Sequence, residues 1–245
     1  DGEHLFGPWL KIAEDGKVVV AIPQSESGQG VYTALAQIVA GELGADWRSV
    51  AVQPVPPSPI FANTLLAREW SPAFLPENVG VDGDSGILAS SINELARRDM
   101  FVVTGGSSSI RQFEMPCREA GAAARALLCQ AAAARWDIAW EQCRTDRGFV
   151  IAGKRRLSFA ELVVAASALD VPSPIPLNPS ARNHLSGRDA PRLDLSAKVD
   201  GSASFAGDIR LPDMLFASVR AGPAGYTSLI SADTKAGMKT RGVIQ

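Results

Sequence analysis

Two short loops hold most of the residues in this sequence whose types and spacing suit chemistry. The first contains Ser25, Glu26, Ser27, Gly28, Gln29 and Gly30. It falls between an apolar β-branched run, Val18 to Ile22, and a stretch where Val31, Leu35, Ile38, Val39 and Leu43 recur at helical spacing. A loop in that place exposes backbone N–H groups at the positive end of a helix dipole, where a phosphate is favoured. Glycines let such an anion approach the backbone closely. Taken alone the signal is weak, because many strand-to-helix turns contain two glycines for geometry. The two common nucleotide fingerprints fail: a Rossmann loop needs a third glycine where Thr33 stands, and a P-loop needs Gly-Lys-Ser/Thr where Gly30 is followed by Val31. The second loop, Thr104, Gly105, Gly106, Ser107, Ser108, Ser109, also precedes a helix, and its hydroxyls and pliant backbone suit a phosphate or a polar heterocycle. Its plain alternative is a serine-rich helix cap.

Other chemistry is poorly supported. The two histidines, His4 and His184, belong to no recognisable triad. Glu26 is a poor general base, since a carboxylate in a polar loop keeps a pKa near 4. Cys117, Cys129 and Cys143 are too few and too widely spaced for a zinc or iron–sulfur site, and Cys117 and Cys129 read as small buried thiols in an alanine-rich segment. A formal net charge of −2 argues against a nucleic-acid partner, and the one compact cationic run, Lys154 to Arg156, reads as a solvated turn. No apolar run approaches the roughly 20 residues needed to cross a bilayer. The chain begins at Asp1 in a polar stretch, and no leader is visible in it.

The elements that must position these loops follow from periodicity and punctuation. The sequence predicts a buried strand at Val18 to Ile22, a helix from Val31 capped by Gly44, and a returning strand within Trp47 to Val55. Residues 56 to 85, rich in Pro, Gly, Asp and Asn, read as mostly irregular. Met100 to Val103 is a short strand candidate, and an alanine-rich helix is expected through Arg118 to Trp136, its small side chains permitting a close neighbour. A hairpin is predicted around Gly153 and a capping box at Ser158 and Glu161, opening a helix to about Leu169. Pro172, Pro174, Pro176, Pro179 and Pro191 mark a linker, and Lys198 to Arg220 carries strand-like pieces, clearest at Met214 to Val219. The expected class is α+β, with a mixed domain at 1–170, a linker at 171–191 and an incomplete second domain at 192–245.

Three stretches taken in order are more specific than either loop. QSESGQGVYTALAQIVAGELGADW (residues 24–47) resembles the Glu-Met-Gly-Gln-Gly-Val-x-Thr-x-Leu segment of molybdenum hydroxylase large subunits. TGGSSSIRQFEMPCREAGAAARALL (residues 104–128) is similar to their serine-rich pterin loop and following helix, and RLDLSAKVDGSASFAGDIRLPDMLFASV (residues 192–219) to the opening of their α/β hammerhead domain. Finding the glycine and serine loops ahead of the hammerhead is the arrangement of isoquinoline 1-oxidoreductase and related periplasmic aldehyde dehydrogenases, whereas xanthine dehydrogenase has them after it.

The resemblance implies a mixed molybdopterin-binding domain, a molybdopterin cytosine dinucleotide cofactor and a small partner subunit with two [2Fe–2S] clusters. It implies oxidation of an aldehyde or N-heterocycle with oxygen from water, electrons leaving through the clusters, often to a cytochrome. Gln29 matches the family's cofactor-bonding glutamine, Gly28 and Gly30 its close backbone approach, and Gly106, Ser107 and Ser108 its pterin loop. Ser27 departs from the family's Met. The family's catalytic glutamate lies near the end of a much longer subunit and has no counterpart here; Glu26 is not it. The expectation is therefore an enzyme in the full-length subunit, and a chain that alone holds part of a cofactor site without its proton-transfer group. Two rivals stand: a non-catalytic remnant serving partner binding or assembly, and an unrelated anion-binding domain.

Overall fold

A computed structural model describes residues 2–71, 86–178, 184–223, 225 and 227–244. Four strands form the first sheet in the order β1 (Glu3–Leu5), β2 (Leu10–Ala13), β3 (Val18–Ile22), β4 (Val50–Pro54). Neighbours pair antiparallel except β3 and β4, which run parallel with Val18 opposite Val50. A parallel pair needs a crossover, and helix α1 (Val31–Leu43) supplies it. The expected strand, helix, Gly44 cap and returning strand are all present; Gly44 closes α1 in the left-handed conformation.

Helix α1 packs on β3 and β4 and most extensively against α4 (Ser108–Trp136). The two approach closely because α4 offers Gly121, where a Cβ would stand 2.5 Å from the Val39 carbonyl oxygen. The helix α4 starts ten residues before the expected Arg118 and contains Pro116. Proline removes one intrahelical hydrogen bond, which is why the sequence suggests a start beyond it; burial of Phe113 and Cys117 on either side offsets that loss. Strands β5 (Arg144–Asp146), β6 (Phe149–Ala152) and β7 (Arg155–Ser158) form a second, antiparallel sheet that includes the expected hairpin. The capping box of Ser158 and Glu161 then opens α5 (Phe159–Ala166). One core joins these parts, with Leu10, Val18, Leu35, Leu128 and Phe159 all essentially fully buried.

Other expectations need correction. The described part of 56–85 is not mostly irregular: it holds a 3-10 turn (Pro59–Phe61) and helix α2 (Thr64–Trp70), capped by the Asn63 side chain, which accepts the Leu66 N–H at 3.1 Å. Residues 72–85 lie outside the described residues, as does Pro179 in the expected linker. A further helix, α3 (Ile87–Arg98), went unforeseen. Met100 to Val103 is no strand, since Met100 turns left-handed (φ 50°) and the carbonyls of Phe101, Val102 and Val103 accept from Asn63 and Gln24 rather than from a neighbouring strand.

One compact unit runs from Asp1 to Ser202. Segment 184–194 lies along α1: Gln37 donates to the Leu185 and Arg188 carbonyls, the Trp47 indole to that of Pro191, and the Leu193 N–H to Thr33 Oγ1. Upstream of it, Asn178 is held by buried Glu42, Arg118 and Arg125. Then comes α6 (Leu195–Asp200). The second unit, Ala203–Gln245, buries none of its described residues; it shows one 3-10 turn (Ala206–Asp208) and the short helix α7 (Lys235–Met238). Met214 to Val219 is not a strand, for no partner strand among the described residues satisfies its backbone.

Candidate functional site

The glycine loop leaves β3 at its carboxyl end and enters α1. Gly28 (φ 102°) and Gly30 (φ 89°) hold left-handed backbone that a side chain would strain, and among the described residues, adjacent ones aside, nothing lies within 4 Å of where their Cβ atoms would be. The N–H groups expected to await an anion already have one. Glu26 curls under the loop and accepts from Gly28 (2.8 Å), Gly30 (2.9 Å) and Tyr32 (3.1 Å). Burial pushes its carboxyl pKa up, but the amides of Gly30, Tyr32 and Gly28 together outweigh this and leave it lowered. Glu26 is thus further from a general base than an ordinary carboxylate. Gln29 is exposed, its amide donating to the Ser25 carbonyl (2.8 Å) and accepting the Ser27 N–H (2.6 Å).

A second layer holds Glu26. Arg192 donates to it (3.2 Å), to the Gly28 carbonyl (3.0 Å) and, through two nitrogens, to Asp194 (2.9 and 2.8 Å). Arg192 keeps the Asp194 carboxyl well below the usual carboxylate range against the opposing effect of burial, and Lys198 helps. Burial first, then the charges of Glu26 and Asp194, raises the Tyr32 phenol.

The serine loop enters α4 differently. Ser108 is fully buried, its hydroxyl accepting from Asn63 (2.7 Å) and donating to the Gly105 carbonyl (2.7 Å). Gly106 (φ 57°) turns towards α2, where a Cβ would meet Leu66 at 2.8 Å. Ser107 is exposed with φ 51°, and its side chain makes no capping bond. The two loops are stitched together: the Ser25 N–H donates to Thr104 Oγ1 (2.9 Å), while Gln24 receives Ser109 (2.8 Å) and donates to the Val102 carbonyl (3.3 Å). Beside the seam lies a cleft of about 200 Å³ lined by Pro23, Gln24, Ser25, Tyr32, Val55 and Val102, at the carboxyl end of the parallel pair. That is where open α/β sheets receive ligands. Sequence reasoning passed over Gln24, Asn63 and Arg192; only the position of Gln24 and Arg192 at the head of two family-like stretches hinted at them.

Elsewhere, Cys117 and Cys129 are buried free thiols whose pKa burial pushes up to about 12. Ser167, His4 and Glu14 line up at 3.2 and 3.3 Å, but the Ser167 hydroxyl also donates to the Val164 carbonyl as a helix end does, so no nucleophile is activated there. Among the described residues no group of three or more His, Cys, Asp or Glu could hold a metal, and no helix is long and apolar enough to cross a membrane.

Residues 4–56, which carry most of β1 together with β2 to β4, α1 and the glycine loop, match the family model of the molybdopterin cofactor-binding domain. This chain is homologous to subunits of isoquinoline 1-oxidoreductase and nicotinate dehydrogenase and to an aldehyde dehydrogenase. It is 28% identical over 271 residues to the beta subunit of isoquinoline 1-oxidoreductase from Brevundimonas diminuta, covering 96% of this chain and 31% of that protein. It is 32% identical over 229 residues to the B subunit of nicotinate dehydrogenase from Pseudomonas putida, covering 92% and 16%. A membrane-bound aldehyde dehydrogenase of Gluconacetobacter polyoxogenes, whose name carries pyrroloquinoline quinone, is 27% identical over 253 residues, covering 100% and 28%. The chain therefore spans less than a third of the length of these relatives.

Proposed function

We propose that this chain is the molybdopterin-binding portion of an oxidoreductase that hydroxylates aldehydes or N-heterocycles with oxygen from water. The observation that carries the reading is the seam: two loops about 80 residues apart in sequence, each opening a helix, bonded through Gln24, Ser25, Thr104 and Ser109 beside a cleft. The residues fit such a group. Gly28 and Gly30 leave open space over their backbone for a planar polar ring to approach, and Gln29 can turn its amide outward at the cost of two local bonds. Gly106 and Ser107 are exposed, and Ser108 shapes the loop from below. Neutral donors suit a cofactor whose polar atoms must each be paired, an unpaired one costing about 1–3 kcal/mol.

When bound, the cofactor supplies the metal at which substrate is oxidised; this chain binds and orients it. The cofactor form proposed is the cytosine dinucleotide, and the partner a small subunit with [2Fe–2S] clusters passing electrons to a cytochrome. In domain terms, residues 1–170 are proposed as part of the cofactor-binding domain, 171–191 as linker and 192–245 as the opening of a hammerhead domain.

The deciding experiment is metal and pterin analysis of the product of the complete reading frame, expressed with its neighbouring small subunit under adequate molybdate. Stoichiometric molybdenum with releasable cytosine nucleotide is expected, and Gln29→Ala should lower both at least tenfold. A well-folded complex without molybdenum would overturn the reading; pyrroloquinoline quinone in its place would point to the cofactor named for the aldehyde dehydrogenase relative.

A further inference from the structure

We infer that Arg192 is a positioning residue for the glycine loop, fixing the backbone on which Gln29 is presented by holding Glu26 in the amide cradle at the start of α1. Three observations converge. Its guanidinium touches the loop at two separate points, the Glu26 carboxylate and the Gly28 carbonyl, so it braces the turn across its width. Two parallel bonds to Asp194 leave that planar fork a single orientation, and Lys198 fixes Asp194 in turn. The chain on either side of Arg192 is itself fastened nearby, through Pro191 to Trp47 and Leu193 to Thr33. The Glu26 side chain is only 5% exposed, so little water competes with the Arg192 donor for its carboxylate. Gln29, by contrast, is exposed and, among the described residues, bonded only within the loop, so its placement depends on the backbone beneath it. A brace from 164 residues away in sequence thus acts on the cofactor loop without touching the cofactor.

Hydrogen exchange of this chain, read on residues 26–34, tests the brace in Arg192→Gln, Glu26→Gln and the double variant. Exchange in Arg192→Gln should be at least tenfold faster than in wild type, with the β6–β7 hairpin unchanged. The double variant should exchange faster than Glu26→Gln by much less than tenfold, because the two changes share the Arg192–Glu26 bond and differ in the Arg192 bond to the Gly28 carbonyl. Unchanged loop exchange, or effects that simply multiply, would overturn the inference. Should Arg192→Gln loosen the hairpin too, Asp194→Asn decides, as it frees the guanidinium while leaving Glu26 intact: faster exchange confined to the loop supports the brace, and none overturns it.

The consequence for cofactor retention rests on the function proposed above and has its own arm. In the complete reading frame, Arg192→Gln should lower molybdenum and pterin occupancy several-fold, with partial recovery in Arg192→Lys, which keeps the charge and loses the fork. Wild-type protein without molybdenum or pterin would sink the proposed function, and the exchange data would still decide the brace. Full occupancy in an Arg192→Gln protein whose loop has loosened would sever the brace from the cofactor.

Discussion

The starts of α1 and α4 solve one problem in opposite ways. Each helix opens with N–H groups that lack intrahelical partners. At α1 they are met by an ionised side chain, Glu26, which Arg192 and Asp194 hold in a network of charges under an exposed loop. At α4 the Ser107 side chain makes no cap; the Ser108 N–H donates to the Gly105 carbonyl, and the turn is held by neutral groups, with Asn63 and Ser108 both buried and Gln24 tying in Ser109. The first arrangement responds to pH and salt, whereas the second depends on packing and on every polar atom finding its partner. An anionic ligand approaching α1 meets amides already claimed by a carboxylate. At that loop the chain offers the side chain of Gln29 and open space over its glycines instead.

That contrast can be broken most forcefully at the neutral loop. Asn63→Ala removes the α2 cap and strips Ser108 and the Val103 carbonyl of a donor; Asn63 and Ser108 are fully buried and the bond to Val103 is half-buried. A loss of about 3 kcal/mol is expected, read as a lower urea midpoint at unchanged slope. A loss under about 1 kcal/mol would mean that packing alone builds this loop.

A smaller effect should appear on acidification, and only at the charged loop. Glu26 has a lowered pKa in the folded chain, so its contribution is complete above the ordinary value of 4.5 and disappears as pH falls through the lower folded value. The groups around it are Arg192, Asp194 and Tyr32, with Lys198 behind. The amide NMR signals of Gly28 and Gly30 should titrate with a midpoint below 4.5 while those of Ser108 and Ser109 stay still. A midpoint at or above 4.5, or matching movement at Ser108, would erase the distinction.

The smallest effect should come from Ser107→Gly. Ser107 holds φ 51°, a conformation glycine adopts without penalty, and its side chain caps nothing. Stability should rise by no more than about 1 kcal/mol, as a slight increase in melting temperature. A clear decrease would show that the exposed hydroxyl contributes to the fold.

What could be read from the sequence was what neighbouring residues decide among themselves. Val18 to Ile22, the Gly44 cap, the hairpin at Gly153 and the Ser158–Glu161 box each depend on groups a few residues apart, and each is present. Met100 to Val103 misled because an apolar run is ambiguous until its backbone partners are known, and here those partners are Asn63 and Gln24, roughly 40 and 80 residues away. The proline-rich stretch read as a linker, yet residues 184–194 lie bonded along α1. In the same way the loops were legible as glycine- and serine-rich turns, while their seam, and the answering pair of Glu26 and Arg192, exist only in three dimensions.

The seam also sets an order of events in biosynthesis. Chains emerge from the amino end, and a contact forms only after both its members have been made. Ser25 must wait for Thr104, and Glu26 must wait for Arg192, by which point nearly four fifths of these 245 residues have been synthesised. The strands and α1 can settle early, but the glycine loop next to them is among the last parts of this chain to take its final form.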